Sequence, residues 1–205
     1  MKSLNSKTIK VLTITACLGL YISTAHSSEY PDVKIGPKFN DKGQLIQPKD
    51  FRQWVFIGAP LTPNGLNNGK AGFPEFHNVY VEPAAFEHYR KTGVWPEGTM
   101  MVKELHLTEK GQLSDGSRVE PSGRGYFPGG GPSGLDVSVK DSKRFAKTKN
   151  WGFFNFGHHA PPFAAVSTEA PKEACAGCHI DNAQEDMVYV QFYKPILDPL
   201  PLPKQ

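Results

Sequence analysis

Thr99-Met100-Met101-Val102-Lys103-Glu104-Leu105-His106-Leu107 holds nine residues with neither glycine nor proline, and reads as a β-strand. Its two-residue period sets Met101, Lys103, Leu105 and Leu107 on one face, apolar except for the lysine. On either side lie segments of the same kind. Upstream, Phe51 to Gly58 is rich in aromatic and β-branched residues and closes on Gly58-Ala59-Pro60, and His77 to Val81 forms a second strand. Downstream, Gly134 to Lys140 alternates through Leu135, Val137 and Val139, and Trp151 to Phe156 is a fifth strand. A short helix opens at Pro83 and closes at Gly93. The expected class is α+β, mainly antiparallel β-sheet with a few helices.

The connections carry less pattern. Residues 28–50 are polar and rich in Gly, Pro and Lys, and read as an extended arm. Residues 59–73 form a long loop, of the kind more often functional than idle. Gly123 to Pro132 is glycine-rich but lacks the Gly-Lys-Ser/Thr ending of a phosphate loop, so it reads as a wide turn. At the C-terminal end Thr168 is placed to cap a helix running through residues 175–179. A second helix is expected over 182–192, and Pro195, Pro199, Pro201 and Pro203 imply an extended tail.

Lys2, Lys7 and Lys10 precede an apolar run from Val11 to Ser23 and the small residues Thr24-Ala25-His26-Ser27. Residues 1–27 therefore read as a secretory signal peptide, too short to be a stable membrane span, which leaves residues 28–205 as one domain. Three of the 23 lysines and arginines sit in that leader and none of the 20 acids does, so the remainder is formally neutral. Neutrality gives no reason to expect a nucleic acid as partner. Of three cysteines, Cys17 leaves with the leader, so Cys175 and Cys178 remain with no disulfide framework. Export implies the periplasm.

Those two thiols stand in Cys175-Ala176-Gly177-Cys178-His179, the C-x-x-C-H order of a c-type haem attachment site. Each thiol can form a thioether to one vinyl group, and the histidine that follows is carried under the iron as proximal axial ligand. The sixth position separates function classes. Methionine there, from Met100, Met101 or Met187, would give an electron-transfer cytochrome c; an open position would bind or transform small molecules. Two readings fit Lys103. It is a lysine snorkelling near a strand end, or a desolvated amine able to react with the porphyrin edge.

Over most of residues 28–205 the sequence resembles the cytochrome P-460 family. The likeness rests on Phe51-Arg52-Gln53-Trp54-Val55 with Thr62-Pro63-Asn64, Asn78-Val79-Tyr80-Val81, Lys91-Thr92-Gly93 and Gly98-Thr99 with Val102-Lys103-Glu104-Leu105. It continues in Gly125-Tyr126-Phe127, Lys140-Asp141-Ser142 with Arg144-Phe145, and Cys175 to His179. The resemblance implies a periplasmic, β-rich homodimer with one c-type haem, its ring cross-linked to Lys103 and its iron five-coordinate on His179. It further implies oxidation of hydroxylamine with a c-type cytochrome accepting the electrons. The related cytochrome c-prime-beta type, which captures nitric oxide, is the alternative.

The family's hydroxylamine-oxidising members are expected to bring a distal carboxylate from the segment before the haem motif. Here no Asp or Glu occurs between Asp141 and Glu169. His158 and His159 stand in that segment as candidate proton acceptors. Phe153, Phe154, Phe156 and Phe163 line either a distal pocket or the core.

Overall fold

The computed structural model describes residues 36–63, 68 and 70–197. The signal-peptide reading and Pro199, Pro201 and Pro203 of the expected tail lie outside them, whereas Pro195, expected in the same extended tail, lies in a short helix over Lys194–Leu197. Strand β1 (Leu45–Ile46) is followed by a 3-10 turn over Phe51–Gln53, β2 (Val55–Gly58), β3 (Glu75–Val81) and helix α1 (Pro83–Thr92). Next come β4 (Met100–Leu107), a hairpin of β5 (Arg118–Glu120) and β6 (Gly123–Gly125), β7 (Gly134–Lys140) and β8 (Trp151–Asn155). The chain continues through β9 (Val166–Ser167), α2 (Ala176–Asn182), a 3-10 turn over Val190–Phe192 and α3 (Lys194–Leu197). Five strands form one antiparallel sheet in the order β2-β3-β4-β7-β8, so the expected α+β, mainly antiparallel class holds.

Pairing gives the sheet two distinct faces. On one, Val79 and Val81 of β3, Met101 of β4 and Trp151 and Phe153 of β8 pack with Ala85, Phe86 and Tyr89 of α1 and with Met187, Val188 and Val190. On the other, Met100, Val102, Leu135, Val137, Val139 and Phe154 pack against Leu45, Phe51, Trp54 and Phe145. Strands covered on both sides bury both sets of alternating residues, and β4 is accordingly buried from Met100 to Val102. Glu104 lies on the second face at 2% exposure, bonded to Arg52 and to His106. Helix α1 starts as its sequence requires: the Glu82 carboxylate accepts from the N–H groups of Ala84 (3.1 Å) and Ala85 (2.9 Å) around Pro83. It stops where Gly93, at φ 72°, donates its N–H to the Tyr89 carbonyl.

Several expectations change. The arm over 36–50 is not merely extended: Leu45 is fully buried and β1 pairs with β9. Phe51–Gln53 forms a 3-10 turn, and the strand starts at Val55. Gly123 to Gly125, at the start of the expected wide turn over 123–132, forms strand β6 and pairs with β5 in a hairpin. No helix runs from Thr168; α2 begins at Ala176, with Cys175 as its N-cap. The expected helix over 182–192 is replaced by an irregular segment and a single 3-10 turn.

Candidate haem site

The site is built on the first face of the sheet. Val79, Lys103, Asp136 and Asn155 lie opposite one another across β3, β4, β7 and β8, so their side chains project to the same side. The neighbouring row is Val81, Met101, Ser138 and Phe153, two residues or about 7 Å along the strands. Phe153 carries the imidazole of His179, with ring centroids 4.4 Å apart, and Tyr189 meets that imidazole edge-on at 4.8 Å. Lys103 therefore faces the side of the sheet on which the Cys-x-x-Cys-His segment rests, as its strand alternation predicts. Its ammonium is felt electrostatically at both Cys175 and His179.

In α2 the thiols stand one turn apart, Cys175 half-buried at the N-cap and Cys178 exposed. Burial pushes the Cys175 thiol above its usual range. His179 donates or accepts nothing through Nε2 among the described contacts, while its Nδ1 is 2.7 Å from the Met187 carbonyl. A carbonyl can only accept, so Nδ1 carries the proton and Nε2 keeps a free lone pair. Burial lowers the imidazole's pKa despite that bond, which keeps the ring neutral, the form a metal requires.

Beside the Phe153–His179 contact, the same face of the sheet holds a partly exposed polar cluster. Lys103 Nζ lies 3.0 Å from Asp136 Oδ2, His158 Nε2 lies 3.1 Å from both carboxylate oxygens, and Asn155 Nδ2 donates to Oδ1 at 2.9 Å. Burial works to raise the Asp136 pKa, but the His158 hydrogen bond and the Lys103 ammonium outweigh it and hold the carboxyl below its usual value. The same bond raises His158. Gly134 makes room for this: a Cβ there would come within 3.0 Å of the His158 ring. Glu75 and His77 continue the face along β3. Burial raises Glu75 and lowers His77 to about 4, so His77 is neutral at pH 7. A cleft of about 530 Å³, lined by Phe73, Glu75, Ser133, His158 and His159 among others, opens beside the cluster.

Residues 48–190 match the family model described as Cytochrome P460. The chain belongs to the cytochrome P460 family. No curated protein matches it. Family membership makes this a haem protein whose haem is covalently bound, and the residues present fit such a group. Two free thiols one turn apart, a neutral histidine with its Nε2 lone pair unused, and an aromatic platform beneath that ring all converge on one side of the sheet. Among the described residues no helix is long and apolar enough to cross a membrane.

The structure sorts the residues singled out in the sequence. His158 joins the cluster; His159 turns aside, its Nδ1 bonded to the Ala160 carbonyl at 2.7 Å and its ring beside Phe163. Phe153 packs against the His179 ring, whereas Phe154 and Phe156 belong to the opposite core with Phe163 packed against it. Met100 and Met101 are buried in the two cores, and Met187 meets His179 through its carbonyl. Residues 142–168 hold no carboxylate, but the pairing of β4 with β7 sets the Asp136 carboxylate beside Lys103 and His158. The signal for it was the alternation of Leu135, Val137 and Val139, which places Asp136 on the other face, but the residue opposite is known only once β4 pairs with β7.

Proposed function

We propose that this cytochrome P460-family chain is a periplasmic, homodimeric oxidoreductase that oxidises hydroxylamine and passes the electrons to a c-type cytochrome. The observation that carries the reading is the Lys103–Asp136–His158 cluster on the sheet face beside His179. Cys175 and Cys178 would hold a c-type haem through thioethers, His179 would ligate its iron through Nε2, and Lys103 would be the amine bonded to the ring edge. When bound, the haem supplies the redox-active iron that withdraws electrons from the substrate nitrogen. The leader-like residues 1–27 support export, and the family resemblance supports the homodimer.

Hydroxylamine gives up protons as it loses electrons, so the pocket needs a base whose pKa lets it stay ionised. Asp136 has that character: burial works against it, but the His158 hydrogen bond, which remains when Lys103 is bonded to the ring, lowers its pKa. A proton taken by Asp136 has an exit through His158, whose side chain is 46% exposed and borders the cleft. His158 can receive a proton only while neutral. Its raised pKa therefore predicts that turnover falls as pH drops through that raised value.

The test is hydroxylamine-dependent reduction of ferricyanide by the purified holoprotein, alongside Asp136→Asn. The parent should turn over and Asp136→Asn should lose about 100-fold or more in rate, while both bind nitric oxide. A parent that binds nitric oxide but leaves hydroxylamine unchanged would instead assign the chain to gas capture.

A further inference from the structure

The carbonyl that accepts from His179 sits in an unusual turn. Glu185 and Val188 exchange backbone hydrogen bonds at 2.7 and 3.3 Å, and the two residues between them, Asp186 and Met187, have φ of 41° and 65°. Two consecutive positive φ values suit Asn-Gly or Gly-Gly; a long side chain such as methionine is strained there. Such a conformation persists only where its surroundings over-determine it. Here they do. The Asp186 carboxylate receives Lys140 Nζ at 2.7 Å and Trp151 Nε1 at 3.2 Å. Lys140 is itself only 8% exposed and also donates to the Trp95 carbonyl at 2.7 Å. Trp95 in turn is stacked on Tyr89 of α1 at 3.9 Å, and the Met187 side chain is buried in the same core.

We propose that Lys140 and Asp186 are positioning residues for the proximal ligand, a buried strut that holds the Met187 carbonyl against Nδ1 of His179. The chain of contacts runs from the sheet and α1, through the Lys140 ammonium and the Asp186 carboxylate, to a carbonyl aimed at the imidazole. Partners of this kind fix the tautomer and orientation of a ligating histidine and raise its basicity. A more basic His179 donates more strongly and favours the ferric state, so the strut lowers the reduction potential. The inference rests on His179 ligating the iron and is independent of hydroxylamine as substrate. An ion pair serving stability alone would have no need of a strained turn whose carbonyl ends on the ligand.

The experiment compares holoprotein carrying Lys140→Met, Asp186→Asn or Lys140→Arg with the parent. The readouts are the haem midpoint potential, the iron–histidine stretching band of the ferrous form, and thermal melting. Lys140→Met and Asp186→Asn should raise the ferrous-to-ferric ratio at a fixed ambient potential about tenfold, equivalent to about 59 mV for one electron. The stretching band should move to lower frequency, and Lys140→Arg should restore most of both shifts. Melting that falls while the potential and the band stay put would overturn the inference and leave the strut a stability element. Should Lys140→Met and Asp186→Asn fail to take up haem, Trp151→Phe removes the indole N–H donor along with part of a buried ring, so melting falls in either case and the potential and the band decide. A smaller shift in the same direction supports the strut, and none overturns it. A parent lacking any iron–histidine band would instead sink the His179 ligation itself.

Discussion

Gly134 occupies the point where β7 passes Leu105 of β4 beneath the His158 ring, and alanine there tests how tightly the cluster is assembled. The added Cβ would stand 2.7 Å from Leu105 Cδ1 and 3.0 Å from His158 Cδ2. Carbon contacts are comfortable at about 3.5–4.0 Å, so the overlap is about 1 Å with the leucine and about 0.7 Å with the histidine. Leu105 is 1% exposed and has nowhere to move, whereas His158 is partly open to solvent and must give way. Overpacking of this size costs about 1–3 kcal/mol, and alanine recovers about 0.5–1 kcal/mol over glycine in a strand. The net loss is about 0.5–2 kcal/mol, equivalent to a Tm lower by about 2–6 °C for a domain of this size. Displacing His158 from its 3.1 Å approach to Asp136 should also slow hydroxylamine oxidation about tenfold or more. Thermal melting and steady-state kinetics of Gly134→Ala holoprotein measure both. Unchanged melting together with an unchanged pH–rate profile would refute the reasoning, since it would mean that His158 does not rest on the sheet at this position.

On the opposite face, Arg52→Ala should destabilise the protein by about 2 kcal/mol in denaturant titrations, because it leaves the buried Glu104 carboxylate with His106 alone. A loss under about 0.5 kcal/mol would place that pair with ordinary surface ion pairs. The Asp136–His158 bond gives stability a pH optimum. Asp136, with its pKa depressed, contributes above its unfolded value near 4 and loses that contribution as pH falls through the lower folded value. His158, raised, contributes fully below about 6.5 and loses it as pH rises through its higher folded value. Melting curves of Asp136→Asn should be flatter on both limbs than those of the parent. His77, neutral in the fold with its pKa lowered to about 4, penalises folding between about pH 6.5 and 4, so His77→Leu should remove about 3 kcal/mol of acid sensitivity in that window.

Where a segment has one dominant pattern, its structure was legible. Pro83 and Gly93 bound α1 because one is fitted to a first helical turn and the other to a left-handed stop. Gly134 to Lys140 alternates cleanly, and β7 has those bounds. Lys103 could be placed by side because its own strand carries the period. Asp136 could not, because its role depends on a register between strands more than thirty residues apart. The segments around the haem motif misled for a different reason. Thr168 and the residues after it offer helical composition, but Ala170 bonds back to Phe153 and the chain is drawn along β8 instead. Asp186 and Met187 adopt left-handed backbone with neither Gly nor Asn to announce it, since the conformation is imposed by Lys140 and Trp151 from other strands. Leu45 stands in a mostly polar arm, and its pairing with β9 and packing in the second core, both long-range, account for its burial.

Peptide mapping of protease-digested holoprotein by mass spectrometry asks directly whether the sheet and the haem motif share one porphyrin. The account predicts a single haem-bearing species joining the Cys175–His179 peptide to the peptide containing Lys103, and loss of that linkage in Lys103→Ala. A Lys103 peptide recovered free, with haem attached through the two cysteines only, would contradict it.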